Sequence, residues 1–231
     1  MDPIDVMETS EVSERRPVRY WVGRAVLTAR GWREEGVVPD LDKYVLIAAP
    51  HTSNWDLPIT LGIGYTLGID IVWIGKHTLF TGPLGPFYRW LGGIPVDRRA
   101  SQDQVQALAS LFDVEGKRIM VVAPEGTRTR LRYWKSGFYW IARTAKVPIG
   151  LGYLDFRRKR GGVGPVIHPS DDVDADVARI HEFYERITAK FPEEFSNIEF
   201  RPAGESAERP KRHKPGVRGK ISGLLHGMGW T

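Results

Sequence analysis

Short apolar runs alternate with amphipathic stretches along the middle of the chain. The apolar runs predict buried strands at residues 44–49, 69–74, 118–122, 148–155 and 163–168. Intervening segments predict helices at 57–67, 101–116, 137–146 and 174–190. Strands that alternate with helices predict an α/β fold, here a mostly parallel mixed sheet flanked by helices.

The two ends of the chain differ from this middle region in composition. Residues 1–16 are polar and predict a disordered leader, and 17–200 is the predicted folded domain. Residues 201–231 carry seven Lys or Arg side chains against two Glu, which equals the whole formal net charge of +5. That segment predicts a basic flexible tail, and the near-neutral remainder argues against a nucleic-acid-binding domain.

Composition excludes several classes of protein. The 231-residue chain has no cysteine, which removes disulfides, a thiolate nucleophile and cysteine-ligated metals. It has no Gly-x-Ser-x-Gly elbow and no P-loop, and its scattered histidines predict no metal site. The start of the chain lacks the apolar centre of a signal peptide. The most apolar long window, 57–75, contains Pro58, glycines and Asp70, so we expect no transmembrane segment.

The candidate chemistry follows the first predicted strand, in the stretch PHTSNWD at residues 50–56. On a continuous helix His51 and Asp56 would lie roughly 140° apart, so the chain must turn if the carboxylate is to reach the imidazole. Asp56 would then fix the tautomer of His51 and leave the other ring nitrogen free to accept a proton. Alternatively, His51 satisfies a loop carbonyl and Asp56 caps a helix that begins at Leu57. Taken alone, the pair leaves both interpretations open.

Three later stretches favour the chemical interpretation. They are GGIPVDRR at 92–99, APEGTR at 123–128 and KVPI at 146–149. Together with His-x4-Asp, they resemble in order the four blocks of the glycerolipid acyltransferase superfamily, the lysophosphatidic-acid-acyltransferase-like enzymes. The resemblance spans about residues 44–154, and its first and third blocks are specific in combination. The chain departs from the family pattern at two places. Pro50 stands where many members carry Asn or Arg, and the fourth block lacks the second proline often found there. We expect the second departure to affect the acceptor side of the pocket.

The resemblance implies an O-acyltransferase similar to the 1-acylglycerol-3-phosphate enzymes, with 17–200 as the acyltransferase domain. An acyl group would move from a thioester donor, acyl-CoA or an acyl carrier protein, to a hydroxyl of a lysophospholipid or related glycerolipid acceptor. His51 would be the general base and Asp56 would orient it, with no other cofactor and no metal. Two rivals remain, namely an acyl thioesterase that uses the same pair with water, and a non-catalytic membrane-docking protein.

The resemblance also implies a set of substrate-binding residues, which are Arg98, Glu125, Gly126, Thr127 and Arg128. Arginine suits a phosphate head group because its planar fork meets two phosphate oxygens at once. Backbone amides around 126–127 are candidate donors to the oxyanion that forms when the hydroxyl attacks the thioester.

A lipid-using enzyme needs a docking surface, and residues 17–33 offer one candidate. They interleave aromatic and apolar side chains, including Trp21 and Trp32, with arginines at helical spacing, as in a helix that lies in a membrane interface. The alternative is an ordinary packed helix that extends its arginines into solvent. We favour the interfacial helix and expect a cytoplasmic protein, peripherally associated with the anionic inner face of the cell membrane.

Overall fold

Seven strands form one sheet within residues 17–96 and 102–202, which are the residues that the computed structural model describes. The strands are β1 (Arg33–Gly36), β2 (Lys43–Ala49), β3 (Ile71–Lys76), β4 (Gly93–Val96), β5 (Arg118–Val122), β6 (Ile149–Asp155) and β7 (Arg160–Ile167). Their order across the sheet is β1-β7-β6-β2-β5-β3-β4. Every neighbouring pair is parallel except β6 and β7, which are antiparallel, so the predicted mixed sheet is confirmed.

Helices cover both faces of the sheet. Those in the described residues are α1 (Val18–Arg30), α2 (Asp56–Thr66), α3 (Gly85–Trp90), α4 (Gln102–Ala109), α5 (Gly137–Ala145) and α6 (Val173–Tyr184). Short 3₁₀ helices lie at His77–Leu79, Ser110–Phe112 and Pro192–Glu194. Side chains of α4, α5 and α6 pack in the core on one face, and those of α1, α2 and α3 pack on the other. The result is a three-layer α/β domain.

The central strand β2 shows why its sequence is a continuous apolar run. Val45 and Ile47 belong to the core cluster on one face, while Tyr44 and Leu46 belong to the cluster on the opposite face. A strand that is buried on both faces has no polar side to alternate with.

Helix α2 lies between the sheet and α1, which is why it lacks a polar face. The two helices approach closely at Gly23, where a Cβ atom would lie 2.6 Å from the carbonyl oxygen of Gly62. Leu27 is buried in a cluster with Ile59 and Ile63 of α2. Helix α1 is therefore packed on the domain along one side. Among the described residues, no helix has both the length and the apolar character needed to cross a bilayer.

The segment predicted as an interfacial helix over 17–33 is shorter than expected. Helix α1 ends at Arg30, because Gly31 adopts a left-handed conformation with φ of 69°. Trp32 then turns inward, is 5% exposed and packs edge-on against Phe156 at 4.8 Å between ring centroids. The prediction that Trp32 lies on an exposed helix face is therefore wrong, whereas Trp21 is 63% exposed.

Other elements also differ from their predictions. Strand β1 was not predicted, since its sequence REEG carries no apolar signal. The helix predicted over 174–190 ends at Tyr184, and the chain beyond it bonds to other loops, with Thr188 O accepting from Phe156 N at 2.9 Å. The helix predicted over 101–116 ends earlier, at the 3₁₀ turn Ser110–Phe112, and Ser101 lies outside the described residues.

Candidate active site

The first and third sequence blocks meet at the carboxyl edge of the sheet. Strands β2 and β5 are adjacent and parallel, and Ile47 lies opposite Val122, so the loops that follow them leave the sheet side by side. Open α/β sheets place their sites at this edge, where loops and helix N-termini converge. We call this side of the molecule the site edge.

The first loop turns sharply and brings His51 against Asp56. His51 Nδ1 lies 3.2 Å from Asp56 Oδ2, and the side chains are 25% and 3% exposed respectively. Asp56 also accepts hydrogen bonds from Ser53 N at 2.8 Å and from Ser53 Oγ at 2.6 Å. Because these donors precede Asp56 in the chain, the carboxylate organises the loop rather than capping a helix that starts at Leu57. Asp56 is itself the first residue of α2, where the helix dipole favours a negative charge.

The Glu125 side chain binds the backbone of the same loop. Its carboxyl group is fully buried, and Oε1 accepts the backbone N–H of His51 at 2.6 Å. Oε2 lies 3.4 Å from Ser196 Oγ. Burial raises the pKa of Glu125 to about 8; the backbone N–H of His51 opposes that rise and the charge of Asp56 adds to it. Glu125, which the family resemblance associates with the head group, thus faces the protein interior.

The rest of the Glu-Gly-Thr-Arg stretch forms a tight turn. Gly126 has φ of 62°, a left-handed backbone conformation that favours glycine. The Gly126 amide donates to the carbonyl of Ala123 at 3.1 Å. This bond overturns the expectation that the Gly126 amide serves an oxyanion. Thr127 Oγ1 lies 3.0 Å from Thr129 Oγ1, and the Arg128 side chain is exposed.

The second sequence block (92–99) lies partly on the site edge, whereas the fourth (146–149) does not. Strand β4 ends at Val96 on the site edge, and Arg98 lies outside the described residues. The fourth block, 146–149, lies at the start of β6, where Ile149 pairs with Val45 while Ala49 pairs with Tyr153 at the other end. It is therefore at the edge of the sheet opposite His51, and the expectation that it lies on the acceptor side of the pocket is wrong.

Two contacts to the site come from residues that no motif indicated. Ser196 lies against Glu125, and the backbone N–H of Phe191 donates to Thr52 Oγ1 at 3.2 Å. Both follow α6 in residues 191–200, for which the sequence pattern predicts no element. A polar side chain that serves a distant backbone leaves no local signature in sequence.

Comparison with known proteins identifies the family of this chain. A family model described as Acyltransferase matches residues 30–150, which is more than half of the chain. The chain therefore belongs to the acyltransferase family, and the resemblance drawn from its motifs is confirmed at that level. Among solved structures, it is similar to the crystal structure of the 1-acyl-sn-glycerophosphate (LPA) acyltransferase PlsC from Thermotoga maritima. That similarity has a TM-score of 0.48 and 20% identity, and covers 74% of this chain and 80% of that chain. No curated protein matches the chain.

Proposed function

We propose that the protein transfers a fatty acyl group from acyl-CoA or an acyl carrier protein to a hydroxyl of a lysophospholipid or related glycerolipid. The observation that carries the proposal is the His51–Asp56 pair, with Nδ1 3.2 Å from Oδ2 on the site edge. A buried carboxylate beside Nδ1 favours the tautomer in which Nε2 is free to accept a proton. Family membership supports acyl transfer as the reaction that such a base serves.

In the proposed reaction, His51 Nε2 removes the proton of the acceptor hydroxyl as its oxygen attacks the thioester carbonyl. The new C–O bond converts the carbonyl into an oxyanion. Its collapse restores the C=O bond and breaks the C–S bond, and the leaving thiolate takes the proton from the imidazolium. Asp56 stabilises the imidazolium throughout. This route needs no covalent acyl-enzyme, in keeping with a chain that lacks cysteine.

The remaining site residues have proposed roles that follow from their positions. Arg128 is exposed, and we propose on the family resemblance that it binds the acceptor phosphate together with Arg98. Glu125 would contribute indirectly, since it holds the backbone of His51. Because the Gly126 amide is engaged by Ala123, the Thr127 amide becomes the candidate oxyanion donor in this turn.

A small apolar cavity lies between α2 and the sheet, and Ala49 is the lining residue nearest to His51 in the chain. Ala49, Ile63 and Leu67 are among its lining residues. Ala49 is the last residue of β2 and stands two positions before His51. We place the first carbons of the acyl chain on this apolar wall, because a hydrocarbon gains most by leaving water there.

The test is a product assay with labelled acyl-CoA and acylated carrier protein against a panel of lysolipids, with free thiol measured in parallel. We expect thiol release that depends on the acceptor and a new ester identified by mass spectrometry. Thiol release that ignores added acceptor would instead indicate the thioesterase. No turnover with any donor would indicate a non-catalytic docking protein.

The acceptor panel also tests Arg128. Arg128→Ala should weaken binding of a phosphorylated acceptor about ten- to a hundredfold, because it removes a charge-assisted contact worth roughly 1.5–3 kcal/mol. A neutral acceptor should be much less affected. An equal loss for both acceptors would remove Arg128 from head-group recognition.

A further inference from the structure

Two half-exposed aromatic rings, with two cations beside them, lie next to the loop that carries His51 and Asp56. Trp55 and Phe191 are each 42% exposed. The guanidinium carbon of Arg30 lies 3.6 Å from the centroid of the Trp55 ring. Lys190 Nζ lies 5.9 Å from the centroid of Trp55 and 5.5 Å from that of Phe191. We call Arg30, Trp55, Lys190 and Phe191 the aromatic rim.

The aromatic rim is fixed to the loop that carries the His51–Asp56 pair. Trp55 is a member of that loop, and its backbone N–H donates to Ser53 Oγ at 3.1 Å. Phe191 joins it through its own backbone N–H to Thr52 Oγ1 at 3.2 Å. The rim therefore lies beside the loop that carries His51, whose side chain is 25% exposed.

Neither cation of the rim has a carboxylate partner in the part of the chain that the structure describes. Within the described residues, neither Arg30 nor Lys190 forms an ion pair. A comparable pair elsewhere behaves differently: Arg143 lies 5.8 Å from the ring of Trp140, which is 41% exposed, but Arg143 is neutralised by Asp171 at 2.5 Å. The four rim residues thus carry two positive charges beside aromatic rings that are partly in solvent.

We propose that the aromatic rim docks the protein onto an anionic lipid surface. Arg30 and Lys190 would meet lipid phosphates, and the rings of Trp55 and Phe191 would enter the head-group region, as amphipathic aromatic side chains do at membrane interfaces. The inference rests on the proposed function in one respect: if the acceptor is a membrane lipid, His51 must approach the membrane to reach it.

This surface shares only Arg30 with the predicted interfacial segment 17–33. Arg19, near the N-terminal end of α1, pairs with Asp70, which immediately precedes β3. The exposed Trp21 is therefore near the edge of the sheet opposite His51, whereas Arg30, at the other end of α1, reaches Trp55 on the site edge. Docking through the aromatic rim brings the site edge to the lipid.

The experiment is co-sedimentation of the full chain with vesicles of equimolar phosphatidylcholine and phosphatidylglycerol across a salt series, without substrates. The double variant Arg30→Gln/Lys190→Gln should bind roughly thirtyfold more weakly at low salt, with the difference fading at high salt. Phe191→Ala should weaken binding about three- to tenfold at every salt concentration, because it removes apolar burial.

Control variants remove two positive charges and one exposed ring from other surfaces. Arg19→Gln/Lys117→Gln takes two positive charges from the opposite edge, and Trp140→Ala removes a ring of nearly equal exposure. Thermal unfolding confirms that each variant is folded. Transfer between soluble short-chain substrates is measured separately, so an inactive parent would refute the proposed function without affecting the docking result.

The proposal is overturned if the rim variants lose no more vesicle binding than the controls. It is also overturned if vesicle binding stays intact while binding of an acyl carrier protein is lost, because the rim would then be a protein-docking site. Loss of anionic-vesicle binding in the rim variants alone supports it.

Discussion

His51 is held by two acidic residues that act on different parts of it. Asp56 approaches the imidazole ring, whereas Glu125 accepts the backbone N–H. Asp56 is surrounded by donors, with two hydrogen bonds from Ser53. Glu125 is buried more deeply, and the rise of its pKa to about 8 makes it mostly neutral at pH 7. One carboxyl group is thus suited to stabilise an imidazolium and the other to hold a loop without adding charge.

Replacing either member of the His51–Asp56 pair should abolish most activity while sparing the fold. We expect His51→Ala to lower kcat about 10²–10⁴-fold, the usual contribution of a general base. Asp56→Asn should cause a severe loss as well, because an amide can favour the wrong tautomer of His51. Steady-state transfer rates and thermal unfolding curves measure both effects. Transfer at the parent rate in either variant would contradict the mechanism.

Glu125 should make the stability of the protein depend on pH. Its folded pKa of about 8 exceeds the ordinary value of 4.5, so between these values the native state holds a proton that the unfolded state has lost. The free energy of unfolding should therefore decrease as pH rises through this window, by at most about 1.4 kcal/mol per pH unit from this group. Denaturant titrations at a series of pH values measure the slope.

The matched variant is Glu125→Gln, which keeps an acceptor for the His51 N–H but cannot ionise. Its stability should lack the part of the slope that Glu125 contributes, while its activity near neutral pH stays close to that of the parent. Glu125→Ala, which removes the acceptor, should lower activity even where the protein is folded. If the free energy of unfolding depends on pH identically in the parent and in Glu125→Gln, the pKa of Glu125 is not raised.

Among the structural elements, the segment around α1 separates two tryptophans that the sequence pattern grouped together. Trp32→Ala should destabilise the fold by about 3–5 kcal/mol, because it leaves a cavity against Phe156. Trp21→Ala should change stability by no more than about 0.5 kcal/mol, since this ring is 63% exposed. Chemical unfolding of both variants measures the difference. Equal losses would mean that Trp21 packs in solution.

The elements that the sequence predicted well are those whose burial is simplest. Strands β2 and β5 are covered on both faces, so each appears as a plain apolar run. Strand β1 is an edge strand with one neighbour, and its REEG sequence contains only charged residues and glycine, so its pairing with β7 could not be predicted locally. The end of α6 was misplaced because the contacts that draw the chain away from the helix are tertiary.

The same distinction applies to the site. His51 and Asp56 are close in sequence, and the need for a turn between them followed from helix geometry. The contact of Glu125 with His51 spans 74 positions and involves a backbone atom, which no side-chain pattern encodes. Family resemblance supplied a head-group role for Glu125, and only the fold shows that the carboxyl group faces inward.

At the scale of the whole molecule, the uneven distribution of charge leads to a further prediction. Deleting residues 201–231 removes the excess of five positive charges. Since each Lys or Arg near an anionic surface contributes on the order of 1 kcal/mol, the deletion should reduce salt-sensitive vesicle binding. Activity on short soluble substrates should be unchanged. Vesicle co-sedimentation at several salt concentrations tests this prediction. Unchanged binding would mean that residues 201–231 do not contribute to vesicle binding.

The strand order also determines when the fold can close during synthesis. Among the described strands, β1 pairs with β7 alone, and Arg33 lies opposite Arg160. With a ribosome adding about 5–20 residues per second, β1 waits roughly 6–25 seconds for its partner to emerge. Strands β2, β3, β4 and β5 are made in that interval and can already pair with one another. The nascent chain therefore carries a partial sheet in which one edge of β2 stays unpaired until β6 is made. A chaperone would protect the chain most during the time before β6 is made.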